Sequence, residues 1–222
     1  EISLKKSSNL KQIKKTVVVY NPKHLNKLKE LNLKNVKLIK GGNSRQKSTL
    51  NALKYLIKQK GIQNVLIHDA ARPNFSSKLI MSIIKNMKNS RAVIPIIEIQ
   101  DAIKQKYENG KFEYILGKER NDLFLTQTPQ CFKLNEITHL HKIYKDKYRD
   151  DDISLLMDLN KVKFINGEKN NFKITDEIDL NNLKNIYKSK MNVGIGFDVH
   201  RLVPKRKLYL GGLKIKSPLG TL

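Results

Sequence analysis

Two stretches of this chain place polar residues where an open parallel sheet would present a ligand, just beyond the carboxyl ends of strands. After the apolar run ending at Ile67 comes His68-Asp69-Ala70-Ala71-Arg72-Pro73. A carboxylate there can hold a hard divalent cation that bridges phosphates, while the small alanines leave room for a nucleotide. The same residues also allow a plainer arrangement, with Asp69 capping a turn ahead of Pro73 and pairing with Arg72. Upstream, the run ending at Ile39 leads into Gly41-Gly42-Asn43-Ser44-Arg45-Gln46-Lys47-Ser48. Paired glycines permit close backbone approach, and the helix that follows offers unpaired N–H groups to an anion. Such a turn also serves purely structural ends. A third pattern lies near the end, where Asp198 and His200 stand two residues apart on an extended segment and can reach one tetrahedral cation.

The elements that must position these residues follow from hydrophobic spacing. Residues 15–20, 36–39, 64–68 and 91–97 read as strands, and residues 22–31, 46–60 and 76–87 as the helices between them. Strand and helix in alternation predict a doubly wound, mostly parallel sheet covered on its faces by helices. Over 103–116 the pattern changes to two short alternating runs about Glu108-Asn109-Gly110, which predicts a protruding hairpin arm. The chain then returns to sheet at 123–126, to helices at 134–147 and 151–159, and to closing strands at 162–165 and 172–174. Thr175 is placed to cap a last helix whose first turn carries Asp176 and Glu177. The polar stop Lys188-Ser189-Lys190 sets a boundary between residues 1–189 and residues 190–222, with a new apolar strand beginning at Met191. The second piece is too short to build a core of its own.

Composition narrows the function classes. The formal charge of +24 invites a nucleic-acid reading. Lysine is dispersed along the chain, however, aromatics are 7%, and no helix-turn-helix, zinc-finger or stacked-aromatic motif is present, so the charge reads as solvated surface. No apolar stretch is long enough to span a bilayer, and the opening residues are too polar for a secretory signal, which predicts a cytoplasmic protein. Cys131, the single cysteine, excludes an internal disulfide and fits a packing role.

Five blocks in order, GGNSRQKS, HDAARP, LTQTPQCF, DDISLLMDL and NNFKITDEIDL, resemble the methylerythritol phosphate cytidylyltransferase family over roughly residues 15–188. The resemblance implies CTP and methylerythritol phosphate as substrates and a magnesium ion as cofactor. It implies Asp69 as the magnesium ligand, Gly42, Asn43 and Ser48 as cytidine contacts, and Arg120 and Lys173 as the cations on the reacting phosphates. Departures are visible too. The family's opening Gly-rich phosphate loop has no counterpart, the first glycine here being Gly41, and Ala102 and Asp150 stand where the family often has threonine. From Met191 the run NVGIGFDVHRL followed by LYLGGLKI resembles the start of methylerythritol cyclodiphosphate synthase. That resemblance implies Asp198 and His200 as two zinc ligands, with the third in a stretch beyond Leu222, and a homo-oligomer for the complete protein. A nucleotide-sugar pyrophosphorylase relative is the nearest enzymatic alternative, and a basic nucleic-acid-binding protein the alternative from another class.

Overall fold

A computed structural model describes residues 2–8, 10–31, 36–107, 110–113, 119–145, 149–188, 199 and 201–221. Contacts divide the chain into two compact units, residues 1–183 and 184–222. In the first, α1 (Ile2–Ser8) precedes β1 (Thr16–Tyr20), α2 (Leu25–Glu30), β2 (Val36–Lys40), α3 (Arg45–Leu56), β3 (Asn64–Ile67), α4 (Ser77–Asn86) and β4 (Ala92–Glu98). Then come the short β5 (Gln105–Lys106) and β6 (Phe112–Glu113), β7 (Phe124–Thr126), β8 (Gln130–Lys133), α5 (Leu134–Ile143), β9 (Val162–Asn166) and α6 (Glu177–Lys188), whose residues from Lys184 on belong to the second unit.

Two sheets result. β1 and β2 pair in parallel as a two-stranded sheet. In the five-stranded sheet β4 takes β9 in parallel along one register and β7 and β8 antiparallel along another. β7 covers the far half of β4 and β8 the near half, so these two act as one strand interrupted at Gln127-Thr128-Pro129, where the Thr128–Pro129 peptide is cis. β3 lies beyond β8, antiparallel to it, and so runs in the direction of β4.

The alternation of side chains along β4 explains the layers. Ala92 and Ile94 join Leu53, Leu56, Phe132, Leu134 and Ile137 in one buried cluster, while Val93 joins Phe75, Leu79, Ile83 and Cys131 in another. Successive strand residues face opposite sides, so β4 is sealed by α3 and α5 on one face and by α4 on the other. This is the Rossmann-like α/β arrangement that the strand–helix rhythm predicts. α3 and α4 begin at serine caps, Ser44 accepting from the Lys47 N–H and Ser76 from the Leu79 N–H.

Several expectations need correction. Residues 151–159 form only a short 3-10 turn at Ile153–Leu155, because Asp151 and Asp152 turn their carboxylates to other partners rather than to a helix surface. Residues 172–174 form no strand; the Ile174 N–H bonds instead to the Ala71 carbonyl. Asp176 rather than Thr175 receives the first-turn N–H of Asp179, while Thr175 donates to the Asp179 carboxylate. β8 and α1 are additional to the elements predicted. β5 and β6 pair antiparallel as the arm requires, and Gly110 has φ +80, but positions 108 and 109 of its turn lie outside the described residues.

Residues 184–222 carry two small antiparallel pairs, β10 (Leu202–Pro204) with β13 (Leu219–Thr221) and β11 (Leu208–Leu210) with β12 (Leu213–Ile215). Gly211 and Gly212 supply positive φ at both central positions of the β11–β12 turn. Leu210 and Leu213 of this pair are exposed. Among the described residues no helix is long and apolar enough to cross a membrane.

Candidate active site

β3 ends at Ile67 and hands the chain to Asp69 through a set of directed hydrogen bonds. The Asp69 N–H donates to the Thr128 hydroxyl at 3.0 Å, and that hydroxyl lies 3.2 Å from His68 Nδ1. His68 Nε2 sits 2.9 Å from the Arg72 carbonyl, which can only accept, so the proton resides on Nε2 and Nδ1 accepts from Thr128. Burial pushes the His68 imidazole down to about 4, in keeping with this neutral form. The turn from Asp69 to Arg72 is closed by backbone, the Arg72 N–H reaching the Asp69 carbonyl. The Asp69 carboxylate is thereby left free of capping duty.

Three cations converge on it. Lys173 Nζ is 3.4 Å from Asp69 Oδ2, Arg72 Nε is 3.8 Å from the same oxygen, and Arg45 Nε is 4.0 Å from Oδ1. Each comes from a different element, and each is fixed by a different device. Arg72 is held by its donation to the Asn171 carbonyl. Lys173 follows a loop pinned by Gln127, whose amide donates to the Glu168 carbonyl and accepts the Glu168 N–H, while Asn171 donates to the Thr128 carbonyl. Gln127, Thr128 and Asn171 are buried, so this lock works in low dielectric where satisfied hydrogen bonds are strong. Gly167 belongs to it, because a Cβ there would stand 2.5 Å from Gln127 Oε1. Arg45 opens α3 and donates to the buried Asp152 carboxylate, which keeps its guanidinium charged more firmly than usual despite burial.

Of the residues singled out from sequence, Asp69 and Lys173 come together. Ser48 and Asp69 line the same cavity, while the Ser48 hydroxyl accepts the Gly42 N–H at 3.0 Å. Gly42 is required by packing, since a Cβ would lie 2.6 Å from the Lys47 Cβ. Asn43 is exposed beside it. Arg120 is exposed and donates to the Gln100 carbonyl near the end of β4, and no contact joins it to Asp69 among those described. Ala102 and Asp150 are exposed. Asp198 and His200 lie outside the described residues, and Val199 between them is exposed. Sequence reasoning missed Arg45, Asp152 and the Gln127–Asn171 lock; the available signal was a run of amides and hydroxyls, LTQTPQ, inside an apolar strand pattern.

A metal can be tested against these donors. Among the described residues no cluster of three or more His, Cys, Asp or Glu side chains is arranged for an ion. Among the described residues Asp69 offers a carboxylate at the site, and one such ligand fits a hard divalent cation that keeps several of its waters.

Beside the site lies a cavity of about 900 Å³ bounded by β1 on one side and β3 on the other. Val17, Val19, Leu53, Ile67 and Ile80 line it with Arg45, Ser48 and Asp69. β1 pairs with β2 and β3 with β8, and no pairing joins β1 to β3 among the described residues.

Comparisons with known proteins agree with this arrangement. The family model for IspD, 2-C-methyl-D-erythritol 4-phosphate cytidylyltransferase, matches residues 1–189. The chain is 43% identical over 222 residues to a bifunctional enzyme IspD/IspF of Pelagibacter ubique, covering 99% of this chain and 57% of that protein. Against the bifunctional enzyme IspD/IspF of Desulfotalea psychrophila it is 33% identical over 220 residues, covering 94% and 55%. The chain thus spans about half the length of these curated relatives. Among solved structures, the 4-diphosphocytidyl-2C-methyl-D-erythritol synthase of Anaerococcus prevotii has a TM-score of 0.74 at 26% identity, with 84% of each chain covered. The bifunctional IspDF of Campylobacter jejuni has a TM-score of 0.65 at 25% identity, covering all of this chain and 56% of that one.

Proposed function

The chain belongs to the IspD, 2-C-methyl-D-erythritol 4-phosphate cytidylyltransferase, family, and from that premise we propose that residues 1–189 are the larger part of a domain that makes CDP-methylerythritol and pyrophosphate from CTP and methylerythritol phosphate. The observation that carries the reading is the single Asp69 carboxylate among Arg45, Arg72 and Lys173 at a strand end. Such a site carries surplus positive charge and attracts a polyphosphate. In the reaction a phosphate oxygen of methylerythritol phosphate forms a bond to the α-phosphorus of CTP, and the bond from that phosphorus to the β-bridging oxygen breaks. The nucleophile is already ionised, so the protein's task is alignment and neutralisation of crowded negative charge.

Lys173, half exposed and held on the locked loop, is positioned to follow charge as it shifts toward the leaving pyrophosphate. Arg72 and Arg45 orient the Asp69 carboxylate, and Arg120, in the turn before β7, supplies a further cation. Asp69 would hold the magnesium ion, whose contribution when bound is to neutralise phosphate oxygens. Ser48, Gly42 and Asn43 form the side toward the cytidine.

The β1–β3 cavity supports the reading that a Gly-rich phosphate segment, absent from residues 1–222, completes this half of the site. Among the described residues no pairing joins its two flanking strands across the gap. Residues 190–222 are proposed as the opening segment of a cyclodiphosphate synthase module, with Asp198 and His200 as two of its zinc ligands. The complete protein is proposed to be a cytoplasmic homo-oligomer.

Pyrophosphate release by the full-length protein tests the assignment. Turnover should require both CTP and methylerythritol phosphate, and Asp69→Asn or Lys173→Ala should lower kcat by about 10²-fold with the fold intact. Equal turnover with a sugar 1-phosphate and another nucleotide would transfer the chain to the pyrophosphorylase class.

A further inference from the structure

The transfer site does not account for a buried histidine one step behind it. His141, on α5, is 1% exposed, and its Nε2 lies 2.9 Å from Oδ1 of Asp152, which is itself fully buried. The other ring nitrogen, Nδ1, is buried with no hydrogen-bond partner. A carboxylate oxygen only accepts, so Nε2 carries the proton and donates it. The second Asp152 oxygen, Oδ2, receives Arg45 Nη2 at 2.5 Å. The same guanidinium presents Nε to Asp69. His141, Asp152, Arg45 and Asp69 therefore form an unbroken series leading from the core to the reacting site, built from α5, the turn before Ile153, α3 and the loop after β3.

We propose that His141 is a positioning residue for the transfer reaction, fixing the Asp152 carboxylate so that Arg45 is held against Asp69. The inference rests on the cytidylyl-transfer reading given above. Its physical basis is that a carboxylate gripped at both oxygens cannot rotate, whereas one gripped at Oδ2 alone can swing with its partner. Arg45 is a long side chain that is 38% exposed, and confining it costs rotamer entropy that a rigid anchor must offset. Preorganised groups raise turnover only when the residues behind them are themselves locked. Replacing His141 by an apolar residue of similar size would keep α5 packed on α3 and leave Asp152 Oδ1 bare.

The experiment compares wild type, His141→Leu and His141→Gln in the full-length protein with ¹⁵N-labelled arginine. Two quantities are read: exchange of the Arg45 side-chain protons with water by NMR, and kcat and KM for CTP. Gln can still donate to Oδ1. His141→Leu should speed Arg45 exchange and lower kcat about tenfold, with KM for CTP little changed, and His141→Gln should recover most of both. Unchanged Arg45 exchange in a folded His141→Leu protein would overturn the proposal, as would a KM effect that Gln fails to rescue. If Arg45 loosens but wild type shows no CTP turnover, the positioning stands and the transfer assignment falls. Should His141→Leu not fold, His141→Gln against the shorter His141→Asn decides, and equal Arg45 exchange and kcat in those two would refute it.

Discussion

Strands β1 and β4 are both rich in β-branched residues, TVVVY against AVIPIIE, yet they end in different environments. β4 has hydrogen-bonded neighbours on both edges, helices on both faces, and Ala92, Val93 and Ile94 with no exposure at all. β1 has β2 on one edge and the open cavity on the other, and all five of its residues are only half-buried. The difference teaches that an apolar strand is buried by its neighbours and not by its composition. The candidate site draws on both regions, because Asp69 and Lys173 are anchored to the well-packed region through Thr128, Gln127 and Asn171, while Arg45 and Ser48 come from the helix beside β1. α3 packs on β4 through Leu53 and Leu56, and the Arg45 guanidinium at its start is tied to α5 through Asp152 and His141.

That link should give the largest effect on stability. Asp152→Asn is expected to cost about 4 kcal/mol at neutral pH, because Arg45 and His141 lose an ionised partner inside the fold. Burial alone would raise the Asp152 carboxyl, but the bond from His141 and the charge and bond of Arg45 outweigh it, and the group is held below its ordinary 3.8. A depressed folded value means that the stabilisation is present above 3.8 and is lost as pH falls through that lower folded value. Urea unfolding across pH should therefore show the wild type and the variant converging in acid. A gap that stays constant below pH 4 would show that the Arg45–Asp152 link does not depend on the carboxylate's charge.

A paired truncation tests the contrast between the strands directly. Ile94→Ala on β4 should cost about 3 kcal/mol, and Val18→Ala on β1 about 1 kcal/mol or less, since the half-buried site leaves a smaller cavity. Calorimetric melts of both variants would settle it. Equal losses would mean that the β1–β2 sheet is as tightly packed as the sheet around β4.

The smallest effect concerns Cys131, which lies against Val93 in the same packed region. Burial pushes its thiol up to about 12, so the native protein should resist a thiol-alkylating reagent at pH 8 that labels the unfolded chain at once. Rapid native labelling would show that the β4 side opens locally, and would weaken the distinction drawn between the two regions.

Much of this was legible in the residues themselves. Strand–helix alternation set the α/β class because the periods of 2 and 3.6 are properties of the backbone that side-chain order must follow. Asp69 stood out as a carboxylate immediately after an apolar strand, a position that left a turn-capping role equally open, and the ordered motifs singled out both Asp69 and Lys173. The tertiary structure alone decided which charges meet. Arg45 and Asp152 are far apart in the chain, and a lysine-rich sequence gives no local mark to an arginine that will be held by a buried carboxylate. The DDISLLMDL segment reads as helix by its apolar content, yet its acids are drawn to Thr126, Gln130, His141 and Arg45, and the backbone follows them. The physical reason is that periodicity is encoded between near neighbours, whereas the satisfaction of a buried charge depends on whatever distant group the packed elements bring within hydrogen-bonding reach.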